Sequence, residues 1–431
     1  MGDVEMNDCD LSNIQEMNKG PLEQRQIDEG EYEMLSPEVK NDSVIEFKYE
    51  SENYYVELNK TELEVNLRIT KADGTNLTDT DKVALINYPV ASLFKDVEVQ
   101  LNGKTITEGS SNYAERAIME VMLTYGKDAE CTWLQAALFE KDTAGKMDNA
   151  DPSAADGNEG LKERAVYSNG SKLITVRGKL HEDIFNQSTP LPNKTKLDIK
   201  FTRHDDAYCL MSNAEDAAYK IKIESMALHI RKIHMTQSVL TYLAGEDIII
   251  PIDRVVQKTF SVSQGGRKYT QNALHTGLIP SLVVLGFTDN TARSGEYKLN
   301  PFKFDHVHVK RVSLFRDGQL VNSRPIETDF ENGHVMQGYW SLMQATNARY
   351  ANAGTLIEYK DYRKNGYALW GYNLSPSQCD GQFVDPKRHG KLTLEVEFAK
   401  NIPKALSLCV YLQFRGEVKI DKFQNTVTLF H

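Results

Sequence analysis

Apolar and polar residues alternate along much of the chain from Val44 onward. In "VIEFKYESENYYVELNKTELEVNLRIT" the residues Leu63, Val65, Leu67 and Ile69 share one face, with Glu64, Asn66 and Arg68 on the other. A period of two is that of a strand buried on one side. "YPVASLFKDVEVQLNGKTITEG" then predicts a hairpin turning at Asn102-Gly103, because a type I′ turn holds both central residues at positive φ. In "SNYAERAIMEVMLTYG" the period changes: Ala117, Ile118, Val121, Met122 and Tyr125 recur at helical spacing, with Ser111 or Asn112 placed to cap and Gly126 to stop. Strand-like runs resume at "SKLITVRGKL", "KTKLDIKFTR" and "YKIKIESMALHIRKIHM".

The same order of elements returns in the second half. "FKFDHVHVKRVSLFRDGQLVNSRPI" reads as strand, Asp317-Gly318 turn and strand; a helix-capable "HVMQGYWSLMQ", an irregular stretch to about His389, and the strands "KLTLEVEF" and "LSLCVYLQF" follow. An ordered repeat of this length implies one structural unit used twice. The first copy is longer through "EKDTAGKMDNADPSAADGNEGLKER", a polar, aperiodic segment that predicts an exposed loop. The junction falls in "TQSVLTYLAGEDIIIP". Many short strands with turns between them predict an all-β chain of two tandem antiparallel jelly-roll sandwiches with short helices and long loops. The expected division is an acidic arm at 1–42, a first sandwich at 43–236 and a second at 237–431.

Composition refines this picture. Residues 1–42 are rich in Glu, Asp, Asn and Gln, too polar to offset the entropy of ordering, and predict a flexible arm. The net charge of −11 offers no basic footprint for sequence-independent nucleic-acid binding, and no direct sequence-specific contact is expected. Five widely spaced cysteines, none in a C-x-x-C pair, predict reduced thiols rather than a disulfide framework or zinc site. No apolar run approaches the ~18 residues of a membrane span, and the acidic "MGDVEMNDCD" does not read as a signal peptide.

Candidate chemistry is sparse. His306 and His308 could present two metal ligands from one strand face, but no cysteine or carboxylate cluster accompanies them in the sequence. "SQGGRKY" lacks the spacing of a phosphate loop and reads as a turn. No catalytic motif occurs, so no catalytic, cofactor-binding or metal residue is assigned and no enzyme activity is expected. The basic runs "HVKRVSLFR" and "HIRKIH" read as solvated strand faces or docking points for an acidic neighbour. The rings Tyr350, Tyr359, Tyr362, Tyr367, Trp370 and Tyr372 form a candidate subunit interface, aromatic residues being enriched there, or else they cover the edge of the sandwich.

"NYPVASLFKDVEVQLNGKTITEGSSNYAERAIMEVMLTYG", followed by "LPNKTKLDIKFTRHDD", resembles the major capsid proteins of the Polinton (Maverick) and adintovirus group, relatives of the adenovirus hexon. The resemblance runs from about residue 44 to the C-terminus and rests on ordered strand and turn phrases. It implies a double jelly roll, three copies of which form a pseudo-hexagonal capsomer in an icosahedral shell around DNA. It also implies contacts with neighbouring capsomers, penton and minor capsid proteins, and a place in the virion after assembly in the host nucleus or cytoplasm. The rival reading is a carbohydrate- or peptide-binding tandem β-sandwich whose Tyr/Trp-rich loop stacks on ligand.

Overall fold

Asn102 and Asp317 both turn the chain at positive φ, 51° and 50°, and the glycines after them follow at 77° and 82°. These are the two expected hairpins, and the frame is built around them. The computed structural model describes residues 26–431 except 79, 110, 244–245, 349–353, 378–385, 422, 424–425 and 430–431.

The first sandwich contains β1 (Ile27–Leu35), β2 (Val44–Tyr49), β3 (Tyr55–Lys71), β4 (Phe94–Leu101), β5 (Lys104–Thr105), β6 (Ile174–Lys179), β7 (Leu197–Arg203) and β8 (Tyr219–Met235). The second contains β9 (Ile248–Val262), β10 (Lys268–Leu278), β11 (Leu282–Asp289), β12 (Val309–Arg316), β13 (Gln319–Leu320), β14 (Leu369–Asn373), β15 (His389–Phe398) and β16 (Leu406–Ile420). The sheets run β1-β8-β3-β6 and β2-β7-β4-β5 in the first, β9-β16-β11-β14 and β10-β15-β12-β13 in the second. The eight principal strands of each sandwich follow the same order, so the repeat seen in sequence is a repeat of topology; Val39–Lys40, Val83–Leu85, Leu210–Ser212, Ile326–Glu327 and Thr426–Leu429 are short additions that differ between the halves. Each sandwich is a jelly roll, and the all-β expectation holds.

Alternation decides which side of each strand is wet. Leu63, Val65, Leu67 and Ile69 are fully buried on β3. The second sandwich has its own core, with Phe287, Leu314, Trp370, Leu394 and Leu408 among its members. The core of the first does not stop at its boundary: it continues into Ile252, Phe302, Phe304, Leu342 and Tyr362 of the second half. Area buried in this way is the dominant favourable contribution to folding.

Two expectations fail. Residues 1–42 are expected to be a flexible acidic arm, yet Ile27–Leu35 is the first strand of the first sandwich, paired with β8 from Glu29 opposite His234 to Leu35 opposite Leu228 and, across a register shift, Ile27 opposite Met235. Its backbone completes the edge of β8, and Lys232 lies 2.9 Å from Glu31 and 3.1 Å from Glu33, so pairing and charge supply what the side chains lack in apolar area. The arm's residues 1–25 lie outside the described residues. The segment expected to be an exposed loop after Phe139 is instead packed: Asp142, Met147, Asn158, Leu161 and Arg164 are buried, and Glu159–Ser168 is a helix, α2. The helix α1 (Tyr113–Thr124) stands where the sequence placed it, as does α4 (Met336–Ala345) after the second hairpin, while α3 (Gln237–Leu243) fills the junction.

Candidate functional site

α1 leaves the connection between the fifth and sixth strands of the first sandwich and lies against the second. Asn112 precedes it but makes no side-chain cap; its Nδ2 donates to the carbonyl of Gln257 at 3.3 Å, and its Oδ1 accepts from Arg293 Nη2 at 2.8 Å. Arg293 also lies 2.8 Å from Glu115. One turn on, Arg116 holds Glu182 at 3.1 Å and Asp183 at 2.5 Å, and Asp183 Oδ1 accepts the N–H of Val255 on β9 at 3.0 Å. These groups are buried where the two sandwiches meet, apart from Arg293, which is partly buried.

Burial pushes the Glu182 carboxyl above the usual carboxylate range, against the pull of Arg116. Burial also works against the Arg116 charge, but Asp183, Glu182 and Glu120 outweigh it and hold the guanidinium protonated. His181, whose Nε2 lies 2.8 Å from Tyr88 Oη, is pushed below the ordinary histidine value by burial and stays neutral at pH 7.

A second polar knot forms from the packed segment. Asp142 Oδ1 accepts from Arg164 at 2.7 Å and Asn158 at 2.8 Å, and its Oδ2 accepts from Asn300 of the second half at 2.9 Å. Tyr367 donates its hydroxyl to the Asp142 carbonyl at 2.7 Å, and Lys141 meets Asp361 at 2.6 Å. Charges this deep are tolerated because their hydrogen bonds are satisfied from both halves. The two sandwiches are therefore locked to one another rather than hinged around a cleft.

The aromatic candidates are placed differently from the interface expectation. Tyr362, Tyr367, Trp370 and Tyr372 are at most 3% exposed, packed inside the chain, and Tyr359 is half-buried. Tyr362 donates to the carbonyl of Leu369 at 3.0 Å, and Tyr372 to that of Val312 at 3.1 Å across the sandwich. In the single chain these four rings are therefore part of its own packing. Tyr350 lies outside the described residues.

The remaining candidates stay apart from any common site. His306 stacks on Phe330 at 4.4 Å and its Nδ1 accepts the N–H of His308, in a turn rather than on a strand. Among the described residues no group of three or more His, Cys, Asp or Glu is arranged to hold a metal ion. The basic runs are met from neighbouring strands, Arg311 by Glu327 at 2.9 Å and Arg231 by Glu57 at 3.6 Å. "SQGGRKY" is a turn whose Gly265 N–H bonds to Ile402. Cys131, Cys209 and Cys409 are free thiols.

Similarity to known proteins agrees with the architecture. A chain of the cryo-EM structure of the Sputnik virophage superimposes with a TM-score of 0.67, covering 99% of this chain and 92% of that one at 12% identity. The fold is the double jelly roll of major capsid proteins. The PBCV-1 virus capsid matches with a TM-score of 0.59 over 96% of this chain and 99% of that one at 9% identity. The mavirus major capsid protein matches at 0.53 over 92% and 89%, with 12% identity. In sequence, an uncharacterized protein of Caenorhabditis elegans is 24% identical over 389 residues, 86% of this chain and 90% of that protein. No family model matches the chain.

Sequence reasoning missed the buried polar groups that join the two sandwiches. Arg116, Asp183, Asp142 and Arg164 are far apart in the chain and belong to no motif. One signal was available: Glu115, Arg116 and Glu120 interrupt a helix that is otherwise apolar on nearly every side, which marks charges destined for burial.

Proposed function

We propose that this chain is a structural major capsid protein of a DNA-containing icosahedral particle, three copies forming a pseudo-hexagonal capsomer that meets neighbouring capsomers, penton and minor capsid proteins. The observation that carries the reading is the match of both sandwiches, along almost the whole chain, to a double jelly-roll major capsid protein of mavirus and to the PBCV-1 capsid. The locked junction supports it, since a wall block in a shell needs two sandwiches that do not move against each other. The repeat supports it too: two like but unequal units per chain let three chains present six similar sides while varying the contacts. Origin in the Polinton and adintovirus lineage rests on the sequence phrases around the first hairpin. No catalytic role is assigned.

Light scattering of the purified chain, followed by negative-stain electron microscopy, tests the reading. A species of about 146 kDa, three times the 48.8 kDa chain, with a pseudo-hexagonal outline is expected. A monomer at every concentration and in the presence of its co-expressed assembly partners overturns it.

A further inference from the structure

α1 and α4 are the same helix in the two copies of the repeat, each leaving the connection between the fifth and sixth strands of its sandwich. Their surroundings differ. In α1 every residue from Tyr113 to Met119 is buried, because one side faces its own sandwich and the other faces the second. α4 packs Gly338, Leu342 and Ala345 inward, and its other side carries Met336 and Trp340, 53% and 50% exposed and one turn apart. A groove of about 440 Å³ beside Trp340 is lined by Arg324, Gln337, Gln344 and Asn373.

The surface that receives α1 is on the outer face of the β9 sheet, where Val255 and Gln257 of β9 and Tyr411 of β16 are buried; Gln257 Nε2 lies 3.7 Å from Met119 Sδ. The matching strand of the first sandwich is β1. On its outer side Tyr32 and Met34 are 54% and 64% exposed, opposite Arg231 and His229 of β8, with the Arg231 guanidinium 5.2 Å from the centre of the Tyr32 ring. Among the described residues, one chain thus has a donor helix face without a receiver and a receiver sheet face without a donor.

We infer that the Met336/Trp340 face of α4 in one copy docks on the Tyr32/Met34 face of β1 in the next copy, repeating between chains the contact that α1 makes within the chain. The contact is head-to-tail, so it closes only as a ring, and it rests on the trimer reading above. Exposed apolar side chains centred on a tryptophan are what a subunit interface concentrates.

Trp340→Glu and Met34→Glu in the full chain test this, with Tyr242→Glu, at an 80% exposed position on α3, as control. All three sites are exposed in the single chain, so each variant should fold with the far-UV circular dichroism of the parent, and any fall in melting temperature should be confined to the two variants that lose the subunit contact. By light scattering the parent and the control are expected near three chain masses, and each of the two variants near one, with at least a tenfold loss of association. If the parent is trimeric and either variant remains so, or if the control also dissociates, this face is not the contact and the trimer reading stands. If the parent itself is a monomer, both fall together.

Discussion

Asn102 and Asp317 make the same contacts in the two sandwiches. Each donates its backbone N–H to a lysine carbonyl at 2.9 Å, Lys196 for Asn102 and Lys391 for Asp317. Each also accepts that lysine's N–H on its side-chain Oδ1 at 2.8 Å. The hairpin tip is thereby pinned to the seventh strand or its approach in both halves. Asn102→Ala and Asp317→Ala lose one such bond and place alanine in the left-handed region, a cost of about 1–3 kcal/mol each. Chemical denaturation should give similar losses for the two; a large loss at one site and none at the other would show that the turns are not equivalent in energy.

The Asp183 carboxylate is shared by Arg116 and the Val255 N–H, one from each sandwich. Asp183→Ala leaves both buried donors without their acceptor and is expected to cost about 3–5 kcal/mol. Asp183→Asn keeps an acceptor for Val255 and should cost less. Melting temperatures that fall in the order parent, Asn, Ala are the expected result, and an unchanged Ala variant would contradict the lock.

Acid should destabilise the chain through His204, which is stacked on Tyr208 at 3.7 Å. Burial, helped by Lys95 and Arg293, pushes its value from 6.5 down to about 3. The unfolded chain takes up this proton near pH 6.5 and the folded chain only near pH 3. Stability is therefore fully present above pH 6.5 and falls toward pH 3, with a slope that approaches about 1.4 kcal/mol per pH unit for this group. His204→Phe keeps the stack and should flatten the profile between pH 6 and 4. A profile identical to that of the parent would remove His204 from the account.

Trp370 is fully buried, while Trp133 and Trp340 are 40% and 50% exposed. Acrylamide should quench the fluorescence of a Trp133→Phe/Trp340→Phe variant only weakly until the protein unfolds. Trp370→Ala is expected to cost about 3–5 kcal/mol, as large aromatic truncations in a core do. Ready quenching of Trp370 in the folded chain would return the aromatic segment to the surface.

Removal of residues through Leu35 takes away β1 and opens the edge of β8 from Leu228 to Met235. An unpaired edge of that length invites pairing with other chains. The shortened chain should be less soluble and melt lower. Behaviour equal to that of the full chain would mean that β1 is dispensable to the sandwich.

The division between what was legible and what was not follows the range of the interactions. Leu63 to Ile69 on β3, the Asn102-Gly103 and Asp317-Gly318 turns, and the apolar stripe of α1 are set by residues a few positions apart, so pattern and turn chemistry were enough to place them, and their repetition in order was enough to predict two like sandwiches. Contacts between distant segments decided the rest. The strand at Ile27–Leu35 exists because β8 offers it a backbone ladder; the segment around Asp142 is buried because Arg164, Asn300 and Tyr367 converge on it. The rings of Tyr362, Tyr367, Trp370 and Tyr372 face inward because they pack into the two apolar cores. Local order along the chain determined the elements and their repetition; only the packed structure, where desolvation and partner geometry act across hundreds of residues, decided which charges lock the halves and which apolar faces remain for a second copy.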